Sequence, residues 1–365
     1  MLITSDQKKR LDNWWNNGEQ DRPIILCSCY KPDFAPLILK QNLDDYWNSP
    51  KAMVEREIQR IDNTLWFGEA VPYHYPEFGA AAMAIMMGAD KEYIGTNSIW
   101  AIGNYTEPEL IPEICLYTNA DFYDLVWDTM KLSLDRSKNH HMLGMYCLGS
   151  PVDTLASLMG TENALLALAT KPGKVKPILD DIFTCMAREL ERYINLIQQT
   201  GENYTTNWHG LYCSGKGIAI QEDSSCMLSK DMYETYCLPY VIALAEMQTH
   251  AFYHLDGPGA LHHLDTILQI DAIKVVQWVP GAGHEDLSLW YDVIEAILNS
   301  GKSCFLYAKS KEIPEIVDAF GPDRLCFSVT DGTYENCCRL ADRYQLEQLD
   351  TTKHYYAKSN ELFNP

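Results

Sequence analysis

Basic residues are scarce in this chain. Lysine and arginine number 29 against 50 aspartate and glutamate residues, a formal charge of −21, so nonspecific attraction to phosphate backbones and anionic membrane surfaces is disfavoured. The expectation is of no nucleic-acid partner and no membrane partner. Long apolar runs are missing too: none reaches the roughly 18 residues of a membrane span. The start, Met1-Leu2-Ile3-Thr4-Ser5-Asp6-Gln7-Lys8-Lys9-Arg10, has no apolar segment followed by a cleavage site. Repeats, low-complexity tracts and Gly/Pro/Ser-rich linkers are absent, so residues 1–365 read as one domain. No Gly-x-x-x-x-Gly-Lys-Ser/Thr loop and no strand-following Gly-x-Gly-x-x-Gly occurs, which removes support for nucleotide binding by those loops. Cysteine is present 12 times, but zinc-knuckle spacing is not: Cys27-Ser28-Cys29 has one spacer and Cys337-Cys338 none, against the usual separation of about two to four residues. Both pairs read as core or helix residues. Cysteines diluted in a large chain, mostly within apolar runs, predict reduced thiols in a cytoplasmic protein.

What is present is a core-forming composition, 47% hydrophobic, which excludes the signature of disorder. Short runs rich in β-branched and aromatic residues at 24–29, 142–147, 204–208, 218–221, 251–254, 273–278, 304–307 and 325–329 predict eight strands. Helically spaced segments at 50–65, 162–199, 229–250, 259–270, 287–299 and 334–349 stand among them. Alternating strand and helix implies parallel strands joined by crossovers, as in a doubly wound sheet or a (β/α)8 TIM barrel, and eight strands favour the barrel. Residues 65–112, rich in Pro, Gly, Tyr and Trp, predict an N-terminal excursion over the barrel mouth. In a barrel, chemistry belongs at the C-terminal ends of the strands.

One such end is Tyr253-His254-Leu255-Asp256-Gly257-Pro258-Gly259. His254 and Asp256, two apart, share a side of a continuing strand and would serve as acid and base, bind polar substrate groups, or take a divalent metal. The alternative is that Asp256 caps the next helix and His254 packs. Gln277-Trp278 offers a hydrogen-bonding head and an apolar wall, or simply a buried indole before a turn. Of Glu222 and Asp223, which project differently, Asp223 is the one expected to face the pocket, unless both brace a loop. Asn207-Trp208-His209 is a similar strand end, and Asp331 either contributes to the mouth or belongs to an Asp-Gly turn.

These residues, in this order, resemble the uroporphyrinogen decarboxylase superfamily, which includes cobalamin-dependent methyltransferases. The resemblance is carried by Gly68-Glu69-Ala70-Val71-Pro72 with Gly79 and Gly88-Ala89, then Gly149-Ser150-Pro151-Val152-Asp153-Thr154-Leu155. It continues through Asp223 with Leu228-Ser229-Lys230-Asp231-Met232-Tyr233, Leu238-Pro239-Tyr240, and His254-Leu255-Asp256-Gly257. It implies a (β/α)8 barrel over most of the chain, paired mouth to mouth as a homodimer. Two departures narrow the activity. The decarboxylases' Arg-x-Ala-Gly-Arg-Tyr signature is absent after Asp21-Arg22-Pro23, which removes cations suited to a polycarboxylate. The zinc methyltransferases' His-x-Cys has Asp256 in the cysteine position, and their later cysteine meets Thr330, Asp331 or Thr333, giving harder N/O ligands.

The expectation is therefore a methyltransferase that moves a methyl group between a small O- or N-methylated donor and a corrinoid on a separate protein. Zinc would be held by His254 and Asp256, and catalysis would fall to His254, Asp256 and Asp223. Trp208, His209, Gln277, Trp278 and Asp331, with Glu69, Tyr73 and His74 from the excursion, would bind substrate. The competing expectations are a decarboxylase or lyase acting on a smaller acid, and a ligand-binding barrel without catalysis.

Overall fold

The computed structural model describes residues 2–34 and 43–349. Seven strands form one ladder: β1 (Ile24–Tyr30), β2 (Thr64–Gly68), β3 (Ala219–Gln221), β4 (Ala251–Asp256), β5 (Ile273–Val279), β6 (Ser303–Ala308) and β7 (Leu325–Val329). Their order is β2-β1-β7-β6-β5-β4-β3. Only β2 runs antiparallel to its neighbour; the other pairings are parallel. Parallel neighbours require a crossover, and helices supply it: Lys230–Tyr236 and Leu238–Glu246 before β4, Leu264–Leu268 before β5, Tyr291–Asn299 before β6 and Glu312–Phe320 before β7. The chain is thus a mixed α/β fold with a mostly parallel sheet. No helix among the described residues is long and apolar enough to cross a membrane.

Two of the eight expected strands stay outside this ladder. Met142–Leu143 pairs in parallel with Tyr73–His74, and Tyr204–Thr205 pairs antiparallel with Cys213–Ser214. Tyrosine hydroxyls take the backbone groups that a longer ladder would use. Tyr193 Oη donates to Leu143 O at 2.8 Å and accepts from Thr206 N at 3.3 Å, and Tyr204 Oη accepts from Leu143 N at 3.0 Å. Buried backbone groups must be paired by something, and here side chains partly replace strand partners.

Strand alternation sorts the core from the site. On β4, Phe252, His254 and Asp256 share one face. Tyr253 turns the other way, its hydroxyl 3.2 Å from that of Tyr233 on the crossover helix. Phe252 packs edge-on against Phe305 of β6, ring centroids 5.4 Å apart, and neither ring is exposed. Burial of each such ring is worth about 1.5–3 kcal/mol, so the inner face is anchored just below His254.

The excursion comprises β2, the buried helix Ala82–Met86 and the hairpin of Asp90–Ile94 with Ser98–Ile102. Two glycines let it pack closely. A Cβ on Gly79, whose φ is +78°, would lie 1.9 Å from Ile99 O, and one on Gly103 would lie 2.4 Å from Gly160 N. This approach brings Ala80, Ala81, Ala101 and Gly103 to one cavity with Asp153 and Asp223.

Candidate functional site

Gln221, His254 and Gln277 stand side by side on three adjacent strands. His254 Nδ1 lies 2.7 Å from Gln277 Oε1. An amide oxygen only accepts, so Nδ1 carries the proton and Nε2 keeps the lone pair. On the other flank, Gln221 Nε2 donates to Asp223 Oδ2 at 2.9 Å while its Oε1 accepts from the Cys147 thiol at 3.2 Å. Each glutamine thereby orients one reactive side chain.

The turn that carries Asp223, Asp223–Met227, is held from two sides. Asp153 accepts from the backbone N–H groups of Asp223 and Ser224 at 3.0 and 2.7 Å. His263 Nε2 binds Ser225 O at 3.0 Å, and His262 Nε2 binds Leu228 O at 2.8 Å. Asp153 reaches the turn because Ser150 caps the helix Pro151–Met159 and sets its first turn. The result is a cluster: Asp223, His254 and Asp256 each offer one ligand atom, all within 4.8 Å of one another. Nitrogen and carboxylate oxygen donors in this number fit zinc or another borderline-to-hard divalent ion, and Gln277 supplies the outer hydrogen bond typical of a ligating histidine.

Electrostatics at the cluster are one-sided. Lost hydration, then repulsion from Asp153 and Asp256, pushes the Asp223 carboxyl up to about 7. Burial lowers His254, opposed by Gln277, Asp256 and Asp153. Asp223 thus exchanges a proton near neutrality. Beside it lies a cavity of about 300 Å³ lined by small residues of the excursion, Asp153, Gln221 and Asp223. Glu222, by contrast, is buried, and burial followed by Asp153 pushes its carboxyl well above the usual range.

The other expected site residues divide. Trp208 stands with its ring 5.7 Å from His254 and at right angles to it. The Tyr73 hydroxyl donates to Trp208 O at 2.9 Å, and the Tyr75 ring, unmarked by any sequence motif, meets the Trp208 ring at 6.4 Å. His209 is buried between Phe252 and Phe305; Nδ1 accepts from Leu211 N at 3.1 Å, and burial pushes the ring down to about 3. Nε2–H of His209 and the amide of Asn207 are buried without a protein partner among the described residues, two polar groups set in an otherwise aromatic interior below the site.

Four residues are placed elsewhere. Trp278, one position after Gln277, faces the helices and packs on Trp290 at 5.1 Å. Glu69 sits at the start of β1, the opposite end of the sheet, accepting from Arg22 Nη1 and Nη2 at 3.0 and 2.7 Å and from Ile25 N at 3.0 Å. A larger polar cavity, about 1030 Å³, opens there, bordered by Gly68 at the end of the antiparallel β2 and by none of the parallel strands. His74 turns from its short strand toward the helix Ala120–Arg136, Nδ1 2.7 Å from Ser133 Oγ, which is 2.9 Å from His141 Nε2. Asp331 braces loops: Oδ1 accepts from Ser310 N, and Oδ2 from Ser310 Oγ and Asn336 Nδ2. Gln221 and Asp153 join the cluster without any catalytic motif of their own, the one ending a strand beside Asp223 and the other three residues after the capping Ser150.

Ladder, crossovers and strand-end cluster together define a mixed α/β fold with a group of polar side chains at the C-terminal ends of parallel strands. The fold is shared with a methyltransferase from Methanosarcina mazei, at a TM-score of 0.59 over 93% of this chain and 99% of that one, with 13% sequence identity. No family model matches the sequence, and no curated protein matches it.

Proposed function

We propose that the chain is a methyltransferase of the uroporphyrinogen decarboxylase superfamily, a (β/α)8 barrel that takes a methyl group from a small O- or N-methylated donor and delivers it to a corrinoid on a partner protein. The reading rests on the cluster of Asp223, His254 and Asp256 at neighbouring strand ends, beside an aromatic wall and within a fold like that of a methyltransferase. Trp208 and Tyr75 would hold the apolar body of the donor. As the methyl group departs, the bonding pair stays on the donor's oxygen or nitrogen, which needs a proton. Asp223, titrating near 7, is matched to supply it. Zinc held by His254 and Asp256 would polarise the departing atom as a Lewis acid, leaving the Asp223 carboxyl to carry the proton. Gln277 would keep His254 Nε2 free of a proton, and Gln221 would aim Asp223.

The test incubates the purified chain and a reduced corrinoid protein with methoxy-aromatic, methylamine and betaine donors, and follows methylation of the corrinoid by its absorbance. Turnover with at least one donor, lost in Asp223→Asn, is expected. No transfer across the panel overturns the reading, and carbon dioxide release from a small acid without corrinoid would favour a lyase instead.

A further inference from the structure

The two cysteine pairs that the site leaves unused meet at a seam far from each other in sequence. Cys27 and Cys29, two apart on β1, share a face. Cys337 and Cys338 lie in the first turns of the helix Tyr334–Tyr344, which packs on that strand. The thiols of Cys27 and Cys337 approach to 3.0 Å although 310 residues separate them, and the Cys29 thiol hydrogen-bonds Cys337. Cys27, Cys29 and Cys337 are buried; Cys338 is half-buried and touches Tyr334. A protein metal centre needs three or more ligand atoms from Cys, His, Asp or Glu around one point. Among the described residues only Asp223, His254 and Asp256 meet that kind of test. Thiol pairs in contact are arranged for coupling to each other.

We propose that Cys27, Cys29, Cys337 and Cys338 form a redox-modification site where a hydroperoxide converts the Cys27 and Cys337 thiols to a disulfide, tying the first strand to the last described helix. The half-buried Cys338 meets the oxidant: the O–O bond breaks, its sulfur gains a hydroxyl, and an alcohol leaves. The Cys29 sulfur displaces that hydroxyl, which departs as water. Cys337 then attacks the Cys29 sulfur and restores the Cys338 thiol, and Cys27 attacks the Cys337 sulfur and restores the Cys29 thiol. In sum, two thiols and one hydroperoxide give one disulfide, one alcohol and one water. Burial pushes the Cys29 thiol up to about 12, and contact with Cys27 followed by burial raises Cys337, so thiolate is scarce at neutral pH and the rate climbs with pH.

The test treats the full chain with tert-butyl hydroperoxide at pH 7 and 9, alkylates remaining thiols, and maps peptides without reductant. The proposal expects a mass loss of about 2 Da, a peptide pair joined through Cys27 and Cys337, reversal by a dithiol, faster formation at pH 9 and a raised thermal midpoint. Cys337→Ser and Cys27→Ala should each abolish the pair, whereas Cys304→Ser, at an equally buried cysteine on β6, should leave it. Overturning results are gains of oxygen mass without a cross-link, a cross-link that survives Cys337→Ser, or no change in mass at either pH.

Discussion

Replacing Gln277 with leucine tests the site through the hydrogen-bond partner of His254. Gln277 is fully buried, and its Oε1 receives the Nδ1 proton of His254 at 2.7 Å. Leucine fills similar space but accepts nothing, so the imidazole N–H loses its partner at a cost of about 1–3 kcal/mol. Part of that cost is avoided if the ring changes tautomer, which puts the proton on Nε2 and removes the lone pair a metal would use. Either way, zinc affinity should fall about 10–100-fold, equivalent to about 1.4–2.7 kcal/mol, and the two routes agree in size. Competition against a chromophoric chelator reads this directly, in parallel with His254→Ala and Asp256→Ala, which should abolish binding. Gln277→Glu keeps an acceptor at the same place and should retain more affinity than the leucine variant. If Gln277→Leu binds zinc as tightly as the parent while both alanine variants lose it, the orienting role of Gln277 is refuted; if no variant changes binding, the cluster is not a metal site.

Other perturbations separate the site from its scaffold. His74 and His209 are buried and pushed down to about 4 and about 3 from 6.5. Their folded forms are neutral, so stability is intact above pH 6.5 and falls as the unfolded chain takes up protons below it. By pH 5 each should cost ~2 kcal/mol, measured by urea unfolding at pH 7 and 5; an equal loss in His74→Asn and His209→Asn would contradict this. Glu69→Ala strands Arg22 and the Ile25 N–H at the far end of the sheet and should cost about 3–5 kcal/mol of stability with zinc affinity unchanged. Gly103→Ala puts a Cβ 2.4 Å from Gly160 N and should push the hairpin away from Asp153, weakening donor binding with little effect on zinc; tighter or unaltered donor binding would show that the hairpin does not shape the pocket.

Local sequence patterns determined much of this protein. Short β-branched runs marked all seven ladder strands except β2, because a strand buried on both faces reads as a continuous apolar run regardless of its partners. The two-residue spacing of His254 and Asp256 placed both on one side of β4 before any partner was known. Tertiary structure decided which neighbours each face met. Gln277 and Trp278 are adjacent in sequence, yet the pairing of β5 with β4 turned the amide to His254 and the indole to Trp290; a register shift of one residue would exchange them. Glu69 and His74 are close in sequence within the excursion, but the antiparallel return of β2 carried one to the start of β1, and the pairing with Met142–Leu143 turned the other toward Ser133. Asp153 became part of the site only because its helix meets the turn after β3, 70 residues away. The two cysteine pairs, each unremarkable in its own segment, met only when the helix at 334–344 packed against β1. Spacing along the chain governs which side chains share a face, whereas contacts between distant segments depend on packing that no local pattern encodes.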